Sequence, residues 1–163
     1  MKEIVENLSK NAKTIATMES CTGGYIVNAI TNIPGASEVL KFSAVTYSNE
    51  YKIKMGVNKS IINEYSVYSI EVADEMSKKI SEFANSDYGI GITGKLLRKD
   101  EHNEIGDDDL VFISIYDRKR NDYIRSSLRV IFATREQNKE LILKEVIKML
   151  RDILNIDKKI AFI

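Results

Sequence analysis

Thr14-Ile15-Ala16-Thr17-Met18, Glu19-Ser20-Cys21-Thr22-Gly23-Gly24 and Tyr25-Ile26-Val27-Asn28-Ala29-Ile30 follow one another near the start of the chain, and their reading decides the fold. The first run alternates as a half-buried strand does and the third has helical spacing, so the six residues between them join a strand to a helix. Such a join gathers free backbone N–H groups, the positive end of a helix dipole and side-chain hydroxyls, which suits a phosphate or a carboxylate. Gly23 and Gly24 would let a ligand approach the backbone closely. Ser, Thr and Gly are equally ordinary helix caps, and from the turn alone capping is the stronger reading.

Moving outward, Pro34-Gly35-Ala36-Ser37 is a turn holding the only proline, and Val39 to Ser48 reads as a long strand with Val45 and Tyr47 on one face. Lys52 then falls in the next turn. A serine nucleophile needs a base, and a lysine or tyrosinate of lowered pKa can stand in for histidine. Ser37, Tyr47 and Lys52 meet only if the loop folds back. On spacing alone, a loop serine, a half-buried strand tyrosine and a solvated lysine are the simpler description.

The flanking segments supply a core. Ile4, Val5 and Leu8 mark an amphipathic opening helix over residues 1 to 12, and Asn58-Lys59-Ser60 reads as a turn or cap before a short helix. Ser69 caps a longer helix whose inner face is Ile70, Ala73, Met76, Ile80 and Phe83. Asp87 to Gly94 is a strand whose three glycines leave room for a neighbour or a ligand, although their spacing fits neither GxGxxG nor a P-loop. Leu110–Tyr116 and Tyr123–Phe132 form an antiparallel hairpin, followed by a helix from about Arg135 to Leu154 with Leu141, Ile142, Val146, Met149, Leu150 and Ile153 inside. The predicted fold class is therefore α/β: a three-layer α/β/α sandwich with a mixed sheet, spanning residues 1–163 as one domain. In such sheets ligands gather beyond the strand ends, where the turns after Met18 and Thr93 would both lie.

Composition removes several functions. The chain of 163 residues has 24 basic and 24 acidic side chains, so net charge points to neither a nucleic-acid nor a membrane surface. No apolar run reaches a membrane span of ~20 residues and Met1-Lys2-Glu3 opens no signal peptide, so a cytoplasmic protein is expected. One cysteine and one histidine, Cys21 and His102, make no Cys/His zinc site and no intrachain disulfide. His102 reads as a solvated residue of the charged run Lys95 to Asp109, which lacks the EF-hand order of carboxylates. Any serine chemistry must then rely on lysine or tyrosine. Cys21 is read as a small packing residue beneath the turn rather than an acidified nucleophile. The apolar tail Ile160-Ala161-Phe162-Ile163 suits docking on the sheet or on a second subunit, which leaves a homo-oligomer open.

Four motifs carry a family resemblance: Met18-Glu19-Ser20-Cys21-Thr22-Gly23-Gly24, Ile33-Pro34-Gly35-Ala36-Ser37, Val45-Thr46-Tyr47-Ser48-Asn49-Glu50-Tyr51-Lys52 and Gly91-Ile92-Thr93-Gly94. In order and spacing they resemble the CinA C-terminal domain family, whose members include nicotinamide mononucleotide deamidases. The likeness implies the same three-layer architecture, with Ser37 as nucleophile and Tyr47 and Lys52 activating it. It also implies that Glu19, Ser20, Thr22, Gly23 and Gly24 line a nucleotide pocket, with Thr93 and Arg135 facing the ligand. A ligand phosphate would sit at the N-terminus of the helix after Gly24.

The likeness stops after Gly94. The family continues with a Gly/Pro-rich loop and a Lys-Pro-Val-Gly segment, whereas this chain runs through the charged stretch Lys95 to Asp109. Two functions follow from the resemblance. The first is an amidohydrolase that converts a pyridine-nucleotide carboxamide to carboxylate and ammonia, needing no metal or cofactor. The second is a nucleotide-binding relative that is catalytically silent or of altered specificity.

Overall fold

The strands β1 (Ile15–Glu19), β2 (Leu40–Val45), β3 (Tyr88–Gly94), β4 (Leu110–Asp117) and β5 (Asp122–Arg129) lie side by side in the order β2-β1-β3-β4-β5. The structure is a computed structural model that describes residues 1–98, 101 and 104–156. β1 is parallel to both β2 and β3, whereas β3–β4 and β4–β5 are antiparallel, so the sheet is mixed. Seven helices are present among the described residues: α1 (Lys2–Lys10), α2 (Tyr25–Thr31), α3 (Ala36–Val39), α4 (Asn49–Lys54), α5 (Lys59–Tyr65), α6 (Ile70–Ala84) and α7 (Arg135–Ile153).

Alternating side chains divide the core in two. Ala16 and Met18 of β1 pack with Ile62 of α5 and with Val72, Met76 and Ile80 of α6. Ile15, Ile90, Ile92 and Ile113 point the other way, onto Leu8 of α1, Ile26 of α2 and Ile142 and Val146 of α7. The result is the expected three-layer α/β/α sandwich. β1 is not half-buried as its alternation predicted, because a central strand covered by helices on both faces is buried throughout.

The room left by Gly89 and Gly91 of β3 is taken by α6, and that left by Gly94 by Leu110 and Val111 of β4. A Cβ on Gly89 would stand 1.9 Å from the Ser77 carbonyl oxygen, and one on Gly91 would stand 2.3 Å from that of Ala73. Their small size thus serves helix packing, not a ligand. Ser69 caps α6 as predicted, accepting the Val72 N–H, but Phe83 leaves the core face. It is 64% exposed and lies against Phe42 of the edge strand β2, with ring centroids 5.1 Å apart.

The predicted strand from Val39 to Ser48 is shorter at both ends. A left-handed Gly35 (φ +86°) starts the single-turn helix α3, and β2 begins only at Leu40. Lys52 stands on a helix rather than in a turn, because Ser48 accepts the Tyr51 N–H and caps α4. The cap at Asn58 is present, accepting the Ser60 N–H at the start of α5. β5 stops at Arg129 rather than Phe132: the Val130 N–H turns to the Asp109 carbonyl at 2.8 Å, and the Phe132 N–H to Asn138 Oδ1 at 2.9 Å. No described helix is long and apolar enough to cross a membrane. His102 and the tail from Ile160 to Ile163 lie outside the described residues.

Candidate active site

The turn after β1 is closed by its own carboxylate. Glu19 is fully buried and accepts the backbone N–H groups of Gly24, Ile26 and Val27 at 2.9–3.1 Å and the Thr22 hydroxyl at 2.7 Å. Gly23 and Gly24 take left-handed φ values of +61° and +92°, which turn those N–H groups inward. The anion site foreseen at the start of α2 therefore exists, and Glu19 fills it. Glu19, Thr22, Gly23 and Gly24 build the cap, and the Gly24, Ile26 and Val27 N–H groups that would receive a ligand phosphate are already taken by Glu19.

Closing the turn brings Ser20 and Cys21 to the wall of a cleft of about 690 Å³ at the C-terminal ends of β1 and β3. Lys52 reaches the same wall from α4. Its Nζ donates to Ser20 Oγ at 3.0 Å and to the Thr46 carbonyl at 2.8 Å, and the side chain is 1% exposed. Burial without a carboxylate partner disfavours the ammonium and lowers the Lys52 pKa from 10.5 to about 8. The neighbouring Cys21 thiol is driven the other way. Burial pushes it up to about 12 against the nearby charges of Lys52 and Arg135, so it remains protonated and packs, as its size suggested.

The structure does not bring Ser37 to this place. Ser37 is exposed on α3, before the first residue of β2, whereas Tyr47 and α4 follow its last. β2 lies flat in the sheet, parallel to β1, and at a rise of ~3.3 Å per residue its ends are roughly 17 Å apart. The loop does not fold back, so Ser37 and Lys52 stand at opposite ends of one strand. Tyr47 does line the cleft, 66% exposed, and its hydroxyl accepts from Arg135 Nη2 at 3.5 Å. Arg135 also reaches the Lys95 carbonyl through Nη1 at 3.4 Å. Thr93 is wholly buried and donates to the Val67 carbonyl at 2.9 Å, so it holds a cleft-lining residue and touches no cleft space itself.

Sequence reasoning missed the opposite wall. Lys95, Arg98 and Glu101, beside Gly94, face the cleft from the stretch read as a solvated loop. Lys95 is 5% exposed: its Nζ donates to Asp108 Oδ1 at 3.0 Å and to the Gly106 and Glu104 carbonyls, and it stands 5.2 Å from the Tyr68 ring centroid. Leu96 and Leu97 both take positive φ, +52° and +63°. Each such residue stores on the order of 1–3 kcal/mol of strain, so the surrounding bonds must hold the turn in place. Arg129 pairs with Asp107 and Asp109 at 2.8 and 2.6 Å, which neutralises part of the acidic run. The available signal was a lysine separated by two leucines from the charged run that begins at Arg98, but composition ties it to no particular carboxylate.

The model of the CinA C-terminal domain matches residues 1–154. The chain belongs to the CinA C-terminal domain family. It is 47% identical over 96 residues to a competence-damage inducible protein of Caldanaerobacter subterraneus subsp. tengcongensis, which covers 58% of this chain and 23% of that protein. It is 38% identical over 118 residues to a CinA-like protein of Endomicrobium trichonymphae, covering 71% of this chain and 27% of that one. The chain thus spans about a quarter of the length of the curated relatives it matches. Among solved structures, the competence/damage inducible protein CihA of Agrobacterium tumefaciens superposes with a TM-score of 0.83 at 24% identity, covering 94% of this chain and 92% of that one. A CinA superfamily protein of Escherichia coli gives 0.84 at 21% identity, with 93% and 87% coverage. At these identities the structural likeness carries the CinA fold alone.

Proposed function

We propose that this CinA domain is a serine amidohydrolase acting on a nicotinamide mononucleotide-like carboxamide, with Ser20 as nucleophile and Lys52 as its base. The observation that carries this reading is the buried Lys52 Nζ to Ser20 Oγ contact of 3.0 Å at the cleft wall. In its neutral form the lysine keeps its bond to the Thr46 carbonyl and accepts the Ser20 proton. Ser20 Oγ attacks the amide carbon, and the C–N bond breaks as Lys52 returns the proton to the leaving nitrogen, which departs as ammonia. A water then attacks the ester carbonyl, Lys52 takes its proton, and Ser20 leaves reprotonated with the carboxylate product. Tyr47 and Arg135, paired at the mouth, would orient the anionic part of the substrate.

This assignment moves the nucleophile from Ser37 to Ser20 while retaining Lys52. Ammonia release from nicotinamide mononucleotide should fall by about 100-fold or more in Ser20→Ala and in Lys52→Met, and stay within about threefold of wild type in Ser37→Ala. Loss in Ser37→Ala with retention in Ser20→Ala would reverse the assignment. The silent, nucleotide-binding alternative draws on the altered stretch after Gly94; it requires nucleotide binding with no ammonia release by the wild type.

A further inference from the structure

The stretch that departs from the family's Gly/Pro-rich pattern is bound at both ends of the turn it makes. Lys95 Nζ sits inside the protein and grips the Gly106 carbonyl at 2.9 Å and the Asp108 carboxylate at 3.0 Å. One residue pair further out, the Leu97 N–H donates to the Asp108 carbonyl at 2.7 Å. Leu96 is 2% exposed and belongs to the main core. Two consecutive left-handed leucines between these anchors reverse the chain, and the next residue, Arg98, joins the cleft wall. On its carbonyl side, Lys95 also receives Arg135 Nη1. One residue therefore holds the inward turn by its ammonium and a second guanidinium by its backbone.

The charges in the cleft are unequal. Among the described residues Lys52, Lys95, Arg98 and Arg135 face it, against the carboxylate Glu101. Lys95 is engaged by Asp108 and two carbonyls, and Lys52 by Ser20 and a carbonyl. Arg135 already donates to the Lys95 carbonyl and the Tyr47 hydroxyl, which leaves Arg98, among the described residues, to meet a ligand; a forked guanidinium matches phosphate or carboxylate oxygens.

We infer that Lys95 is a positioning residue that locks residues 104–108 beneath the 95–98 turn, and that Arg98, so placed, determines specificity by binding the anionic group of the substrate. The inference rests on the amidohydrolase reading for its substrate but not for its geometry. The charged stretch is then a specificity wall built from side chains, where a glycine-rich loop would use backbone.

The test has two readouts on wild type, Lys95→Met, Asp108→Ala and Arg98→Ala. The first is hydrogen exchange at the Leu97 amide, which needs no ligand. It should accelerate by about tenfold or more in Lys95→Met, less in Asp108→Ala, and stay at the wild-type rate in Arg98→Ala. The second is the kinetics of ammonia release from nicotinamide mononucleotide: KM should rise about tenfold in Lys95→Met and Arg98→Ala, with kcat within about threefold. Unchanged exchange in Lys95→Met and Asp108→Ala overturns the positioning role, and an unchanged KM in Arg98→Ala overturns the specificity role. Should Lys95→Met fail to fold, Asp108→Ala carries the first readout and Arg98→Ala the second. If the wild type releases no ammonia, the amidohydrolase reading fails by itself. Binding of inorganic pyrophosphate then decides Arg98, with about tenfold weaker binding in Arg98→Ala expected and equal binding contradicting the inference.

Discussion

Two turns leave the same end of the sheet, one after β1 and one after β3, and both face the same cleft; they are held in opposite ways. The turn after β1 is closed from within, by a carboxylate that caps the helix a few residues downstream. The turn after β3 is held from outside, by Lys95 reaching nine to thirteen residues ahead and by Arg129 on a different strand. The first uses glycines for its left-handed residues, the second uses leucines under strain. A turn that satisfies its own donors is rigid and gives the chemistry a fixed place. A turn whose conformation depends on distant charges can be rebuilt without disturbing the proposed nucleophile, Ser20, beside it.

Breaking the inner device should have the larger effect. Glu19→Ala leaves the buried Ile26 N–H, the part-buried Gly24 and Val27 N–H groups and the buried Thr22 hydroxyl without an acceptor, at a cost of about 3–5 kcal/mol. Thermal unfolding should show this as a fall of roughly 6–20 °C. Lys95→Met removes a buried charge and leaves behind a half-exposed Asp108 carboxylate that water can solvate, so its melting temperature should fall far less than that of Glu19→Ala. Equal losses would erase the contrast between the two turns.

Lys52→Met sharpens the contrast between stability and chemistry. The folded protein holds Lys52 with a pKa of about 8 against 10.5 for the ordinary side chain. Between those values the unfolded chain binds more protons than the folded one, so this group's contribution to stability rises as pH increases through that window. Below about pH 8 the penalty of a buried ammonium is fully present. The methionine variant should therefore be as stable as wild type or more so at neutral pH, with the advantage shrinking toward pH ~10, while its activity is lost. Denaturant titrations at the two pH values measure this.

Smaller effects belong to the outer anchors. Arg129→Ala frees two solvent-facing carboxylates and should cost no more than about 1 kcal/mol by denaturant titration. Leu97→Gly removes an exposed side chain from a residue at φ +63°, so its melting temperature should hold or rise, by no more than about 1 kcal/mol in stability. A clear fall would mean that the left-handed turn is not strained.

The elements with local signatures were legible in the sequence. The caps at Ser69 and Asn58, the strand-to-helix join at Glu19 to Gly24 and the hairpin of β4 and β5 depend on neighbours a few residues away. Lys52, Tyr47 and Ser20 were marked as site residues, and the cleft gathers all three. Ser37 was placed with them by the family resemblance alone; its spacing read as a loop serine that would join the others only if the loop folded back, and β2 lies flat between them instead. For the Glu19 to Gly24 turn, capping was the stronger reading of the residues and is what the structure shows, with Glu19 as the cap; the nucleotide-lining role came from the resemblance. The wall after Gly94 was read as solvated, since pairings such as Lys95 with Asp108 appear only when the fold brings them together.

The proposed chemistry turns on a neutral, buried Lys52 that activates Ser20. Its most direct test is the pH dependence of kcat/KM for ammonia release from nicotinamide mononucleotide, measured beside Lys52→Met. The rate of the wild type should rise with a single proton loss and level off above about pH 8, and this step should vanish in the variant. A wild-type profile flat from about pH 6 to 10, or a step that survives in Lys52→Met, would contradict the account.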